Sequence, residues 1–306
     1  MEMRKKETPF AKNSFPLTRE IFDCVKSLLY HVFTLDRKYA KEILNSIGAI
    51  QVYTDRERAA IAISYRAVSL MDVYWVRAKG DKKTFDEISL YNHSLSRAFV
   101  DVSLRGKNLT VENAELVTSQ DQAGEVGTPG VAPKAWIREG NTFYLLKYSD
   151  ERDVDAELLA SKIIDCFDIE HIAYTESSFD GLRVSKCEII TSTEKSIVSS
   201  EFMEVYCLNR YLNKLDFILK KDAYSYYMMN IVDYLIVNVD RHWGNWGFLV
   251  DNNTNKVLKL YPLMDFNKAF LSYNTVEGAL CQTAETRISQ KQAAIEAVQK
   301  IGLNQI

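Results

Sequence analysis

Asp240, Arg241, His242 and Asn245 lie within six consecutive positions, directly after an apolar run ending at Val239, and Asp265 follows 25 positions after Asp240. A carboxylate and a carboxamide five residues apart, with a second carboxylate downstream, suit phosphoryl transfer. That reaction needs a carboxylate to orient the attacking hydroxyl and two oxygen ligands to hold magnesium. It also needs backbone donors around the phosphates and a lysine to neutralise them. The chain carries candidates for each in workable order: the glycine-bearing residues 124–134, then Lys147, then Asp240, then Asn245 and Asp265.

The same residues have plainer readings. Asp240 and Asn245 are types that cap helices and form turns, although a second aspartate at 265 in the expected setting favours function. His242 reads as a loop-bracing histidine rather than a base, and Trp243 and Trp246 as packing residues rather than ligand platforms. Lys147 stands in an otherwise apolar strand, where a lysine is costly to bury unless paired. Glu157, ten residues on and bordering an apolar helical stripe, is the natural partner; Asp155 and Glu151 are rivals, and a solvated helix face is the bland alternative.

The elements that must position these groups follow from periodicity. In "AYSYYMMNIVDYLIVNV", Met228, Ile231, Val232, Leu235 and Ile236 line one helical face, and this helix delivers the polar cluster at its C-terminal end. "WGFLV" and "VLKLY" flank "DNNTNK" as a hairpin leading to Asp265. Upstream, the glycine- and proline-bearing stretch after Leu116 reads as a loop, "KAWIREGNTFYLLKY" as a hairpin turning at Glu139-Gly140-Asn141, and "ERDVDAELLASKIIDCF" as a helix. "CEIITSTEKSIVSSEF" reads as two short strands around a polar turn. The first hundred residues read as mostly helical. Ile21, Cys24, Val25, Leu28 and Leu29 share one face, a short helix follows Asp36, and Thr54 with Glu57 forms a capping box opening a third helix. The link from about Asn45 to Thr54 is too long for a helix-turn-helix, so packing helices are preferred.

Asp240-Arg241-His242-x-x-Asn245, followed by Asp265-Phe266, resembles the catalytic loop and metal-binding aspartate of HipA-type serine/threonine kinases and phosphoinositide lipid kinases. "TPGVAPKAW" is similar to the phosphate-loop segment of the HipA-type group, with Gly130-Val131-Ala132-Pro133-Lys134 where members often read Gly-Ala-Arg-Pro-Lys, so HipA-type is the better match. The resemblance covers roughly residues 115–270. It implies an α+β, bilobed protein-kinase-like (HipA-like) fold with an additional mostly helical N-terminal region. On that plan residues 1–112 are the helical region, 113–203 the N-lobe with phosphate loop, strands and one helix, and 204–306 a helical C-lobe with the catalytic loop and metal-binding aspartate.

The resemblance further implies ATP and Mg2+ bound in the cleft between lobes and transfer of the γ-phosphoryl group to a serine or threonine hydroxyl of a protein substrate. Asp240 would be base or orienter, Asn245 and Asp265 the magnesium ligands, Lys147 the phosphate lysine, and Gly130 and Lys134 part of the phosphate loop. "SSEF" at 199–202 would be a hinge, with backbone groups near Ser200 and Phe202 meeting adenine, and Thr128 a site of autophosphorylation. The implied setting is the toxin of a toxin–antitoxin pair with a small DNA-binding antitoxin. Asn267 stands where the eukaryotic protein-kinase pattern has glycine, so a mobile activation segment of that type is not expected. The 41 residues after Asp265 leave a small C-terminal lobe, a length that also suits a shortened chain. The rival functions are a pseudokinase that binds nucleotide without catalysis, against which all four key positions are filled, and a lipid or small-molecule kinase.

Composition narrows the field. At 306 residues the chain has room for about two domains, each able to bury a core. With 38 basic and 41 acidic side chains, no global field points to direct nucleic-acid or membrane binding. The five cysteines are scattered and include no C-x-x-C pair, as expected of a reducing compartment and a cytoplasmic protein. "MEMRKKETPF" runs into no apolar stretch long enough for a signal peptide. The longest apolar run is broken by Asp233 and is too short to span a bilayer.

Overall fold

The computed structural model describes residues 2–6, 8–9, 32, 34–49, 52, 54–93, 95–107, 109, 123–124, 127–128 and 130–302. Of the helix expected at 16–33, only Val32 is among them. Contacts divide the chain into two compact units: residues 1–149 with 188–196, and residues 150–187 with 197–306. Both mix helix and sheet, with eight α-helices among the described residues.

In the first unit, strand β1 (Glu2–Lys5) pairs antiparallel with β2 (Thr8–Pro9) on one side and β3 (Tyr74–Arg77) on the other. The mostly helical expectation for this region therefore missed a small sheet. Tyr74, Trp75 and Val76 are buried in succession, so no alternation marked the strand, and its partner lies some seventy residues away. Helix α1 (Ala40–Ser46) follows Asp36, and α2 (Asp55–Ser64) opens on the expected capping box: Thr54 Oγ1 accepts the Glu57 N–H at 3.2 Å and Glu57 Oε2 accepts the Thr54 N–H at 2.9 Å. A second capping box, Thr84 with Glu87, opens the short α3 (Phe85–Ile88), and α4 (Arg97–Arg105) packs on strand β4 (Lys134–Glu139). β4 and β5 (Thr142–Lys147) form the predicted hairpin around Gly140, in left-handed backbone at φ 60°. One core joins Val73, Trp75, Leu90 and Phe85 to Trp136 and Phe143 of the hairpin.

The second unit begins with α5 (Glu151–Ile164), N-capped by Asp150, whose side chain accepts the Asp153 N–H. The hairpin of β6 (Thr175–Phe179) and β7 (Leu182–Glu188) follows. Its turn is Asp180-Gly181, both in left-handed backbone, a dipeptide that favours two-residue hairpin turns. Strand β8 (Lys195–Ser199) comes after a tight turn in which Ser192 and Lys195 exchange backbone hydrogen bonds, and it joins a sheet in the order β10-β9-β8. Here β9 is Gly247–Asp251 and β10 is Val257–Leu260, the expected second hairpin.

Helix α6 (Ser200–Leu208) occupies the proposed hinge, and α7 (Lys214–Leu235) is the long apolar helix before the polar cluster. Asp222 breaks α7 with non-helical angles and restarts it: one carboxylate oxygen accepts the Ser225 N–H, the other the N–H of Leu260 in β10. Met228, Ile231, Val232 and Ile236 are buried as the periodicity required, but Leu235 is 51% exposed. Helix α8 (Gln290–Ile301) packs along α7, with Ala297 against Met228 and Ile231. Among the described residues no helix is long and apolar enough to cross a membrane.

Candidate active site

The second unit assembles the polar cluster around one buried arginine. Beyond α7 the chain turns at Val237, left-handed at φ 48°, and enters the loop of Asp240 to Asn245. Arg241, 3% exposed, turns inward: its Nε and one terminal nitrogen donate to both oxygens of buried Asp233 on α7, at 2.8 and 3.0 Å. The other terminal nitrogen donates to the carbonyls of Asn245 and Met264, each at 2.7 Å. One guanidinium thus ties the loop of the candidate base to the residue preceding the candidate metal aspartate. Burial works against the Arg241 charge, but the Asp233 carboxylate overcomes it and raises the arginine pKa.

Around this hub the loop closes on itself. Asn245 Nδ2 donates to the Asp240 carbonyl at 2.9 Å, and Asn238 donates its amide to Asp233 at 2.9 Å while accepting the Asp240 N–H. His242 accepts the Gly244 N–H at Nδ1, the bracing role expected for it. Trp246 is buried against Tyr226, whereas Trp243 is partly exposed under the Lys214 ammonium, 3.8 Å from its ring centroid. Asp240 is half-buried, and among the described residues its carboxylate accepts no hydrogen bond. Burial raises its pKa above the ordinary carboxylate range, the Asp265 charge adds to the rise, and His242, Lys268 and Arg241 hold it back.

Asp265 sits at φ 62°, its N–H donating to the Tyr174 hydroxyl at 3.2 Å. Phe266 is fully buried between the Tyr174 ring, edge-on at 6.1 Å, and the Arg241 guanidinium at 5.7 Å. Asn245 Nδ2 is spent on the Asp240 carbonyl, so Oδ1 is the atom left for a cation. An amide oxygen with a carboxylate is the sparse, hard donor set that magnesium accepts when phosphates and water complete its shell. Among the described residues there is no group of three or more His, Cys, Asp or Glu that could hold a metal ion. Glu157 is buried on α5 and accepts a hydrogen bond from Ser185 at 2.5 Å.

The N–H of Ser200 is already given to the Trp246 carbonyl at 2.8 Å, which anchors the start of α6 to the end of the loop. Phe202 lies buried in the first turn of that helix. Gly247 allows this approach, because a Cβ there would collide with the Val198 carbonyl and lie 2.7 Å from Ser199 Cα.

The first unit carries the remaining candidates. Lys134 and Lys147 are directly opposite in the β4–β5 register, so both side chains leave one face, and both are buried. Two like charges so placed repel unless negative charge accompanies them. The Lys134 ammonium folds over Gly130, which at φ 102° leaves open the space that a Cβ would fill. Arg37, unnoticed in the sequence, donates to the Thr128 carbonyl at 3.1 Å and to the Lys134 carbonyl, bracing the glycine loop against β4. Thr128 itself is 3% exposed and donates its hydroxyl to the Gly124 carbonyl at 2.6 Å. A phosphate donor does not reach that oxygen unless the loop opens, which counts against the autophosphorylation expectation.

No protein-family model and no curated protein matches the sequence. Solved structures do match; one is the crystal structure of a Helicobacter pylori proinflammatory kinase, CtkA, at a TM-score of 0.37 and 17% identity, over 44% of this chain. The match spans 55% of that kinase chain.

Proposed function

We propose that this protein is an ATP- and magnesium-dependent kinase of HipA-like, bilobed architecture that phosphorylates a serine or threonine hydroxyl. The observation that carries the reading is the Arg241 hub, which joins Asp233, the Asn245 carbonyl and the Met264 carbonyl. A structural loop needs no aspartate left without a hydrogen-bond donor beside a second carboxylate; a phosphotransferase does.

In this reading the Asp240 carboxylate accepts the hydrogen bond of the substrate hydroxyl. As that oxygen bonds to the γ-phosphorus, the bond to the β–γ bridging oxygen breaks, ADP departs, and the proton passes to Asp240. Asn245 Oδ1 and the Asp265 carboxylate would hold magnesium, whose chemistry is to offset charge on the phosphate oxygens. Lys147 and Lys134 would meet phosphates, with Gly130 keeping the loop open beneath Lys134. The raised Asp240 pKa places its proton affinity closer to the working pH, as a base requires. The choice of a protein hydroxyl, and of a toxin role with a DNA-binding antitoxin, rests on the HipA-type motif.

Incubation with γ-labelled ATP and a generic protein substrate, followed by mapping of the label, tests the proposal. Asp240→Ala should lose about two to four orders of magnitude in turnover while still binding ATP. A wild type that binds ATP and transfers no label to any hydroxyl would make the protein a pseudokinase. Label on lipid alone would make it a lipid kinase.

A further inference from the structure

The segment after Asp265 is gripped by the first turn of α5. Arg152 donates to the carbonyls of Asn267 at 3.1 Å and Ala269 at 2.6 Å, on either side of Lys268. Lys268 reaches the other way, its ammonium 2.6 Å from Asp153 Oδ2, while Arg152 holds Asp153 Oδ1 at 3.0 Å. Both oxygens of Asp153, a buried carboxylate, are thus filled by cations, one from its own helix and one from the gripped segment. The Asp153 N–H is capped by Asp150, so the turn that does the gripping is itself fixed.

This grip lies two to four residues beyond an aspartate in left-handed backbone, a conformation that persists only where its surroundings over-determine it. On the other side the Tyr174 hydroxyl accepts the Asp265 N–H, Arg241 holds the preceding Met264 carbonyl, and Phe266 packs against Tyr174. One turn further along α5 stands Glu157.

We propose that Arg152, Asp153 and Lys268 are positioning residues for the Asp265 carboxylate: they couple the metal ligand to α5, so that displacement of this helix lowers magnesium affinity. The role rests on the kinase reading of Asp265. None of the three residues would touch the cation. They act as partners that orient a ligand, and loss of such partners costs about 10- to 100-fold in metal affinity.

The test measures magnesium dependence of nucleotide binding by thermal shift, with ATP at fixed concentration, beside the melting temperature without nucleotide. Lys268→Met keeps the aliphatic stem and removes the charge. Arg152 still pairs with Asp153, so no lone buried charge results and the variant should fold. Its magnesium midpoint should rise about tenfold, binding of ATP in EDTA should not change, and Lys268→Arg should recover most of the shift. Arg152→Met, at a side chain 42% exposed, should raise the midpoint as well and serves if Lys268→Met fails to fold. A well-folded Lys268→Met with the wild-type midpoint would reduce the grip to a structural ion pair and overturn the proposal. A wild type whose ATP binding ignores magnesium would instead bring down the kinase reading, and the positioning role with it.

Discussion

Replacing Arg241 by methionine removes four hydrogen bonds at once: two to Asp233, at 2.8 and 3.0 Å, and one each to the Asn245 and Met264 carbonyls, at 2.7 Å. Methionine fills most of the stem volume, so the loss is electrostatic. Asp233 stays in the interior with the Asn238 amide, 2.9 Å away, as its side-chain donor. Removing one partner of a buried pair costs about 3–5 kcal/mol. Two orphaned carbonyls add about 1 kcal/mol each. The sum, about 5–7 kcal/mol, is comparable to the whole stability of an ordinary domain. Removing the second charge as well, in Arg241→Met with Asp233→Leu, deletes the largest part, because an apolar pair replaces an ion pair at little net cost. What remains is the two carbonyls and the Asn238 amide, about 3 kcal/mol. Yet the guanidinium that bridges the Asn245 and Met264 carbonyls is then gone, and a misplacement of about 1 Å is enough to cost about a hundredfold in rate.

Stability should therefore recover in the double variant while turnover does not. Urea denaturation followed by tryptophan fluorescence reads the first quantity; two units can unfold separately, and only the transition of the second should move. Release of ADP under saturating ATP reads the other. A single variant that loses less than about 1 kcal/mol would show that the pair is not a buried one. A double variant that regains turnover together with stability would show that Arg241 merely supports the fold and does not assemble the site.

Asp265→Asn keeps shape and one oxygen but loses the charge, so nucleotide binding should need much more magnesium and turnover should fall at least about a hundredfold; unchanged magnesium dependence in thermal-shift titrations refutes the ligand role. Asp240→Asn should raise the melting temperature at pH 7. The folded-state pKa of Asp240 is raised, mainly by burial, so its contribution to stability is present at low pH and lost as pH rises through that value, leaving an ionised group whose burial costs energy at neutrality. The gain should shrink as pH falls below the raised pKa, and a gain constant down to pH ~4 would contradict the assignment. Gly247→Ala must move backbone at Val198 and Ser199, since the new Cβ has no side chain to push aside; a loss of about 3 kcal/mol or more is expected, and a neutral effect in denaturant would show that β8 and β9 do not approach as described.

What the sequence determined by itself was whatever neighbours in the chain decide. The α2 capping box joins residues three apart, the α7 stripe repeats within one helix, and the hairpins at 134–147 and 247–260 turn on local residues, so each left a periodic or positional mark. The grouping of Asp240, Asn245 and Asp265 was legible because the motif is short and its hairpin context adjoins it.

Tertiary structure decided the rest. Asp233 looked like a flaw in an apolar run, and only the fold shows that Arg241, eight positions on, is its partner. The Asp153–Lys268 contact spans 115 positions, and β1 pairs with β3 across some seventy, separations at which no period survives. Leu235 fits the α7 stripe yet faces outward, and Thr128 lies in a glycine loop yet is buried, because burial depends on what arrives from elsewhere in the chain. "SSEF" has the composition of a linker, but α6 starts there because the Trp246 carbonyl receives its first N–H, a bond that exists only once β9 lies beside β8.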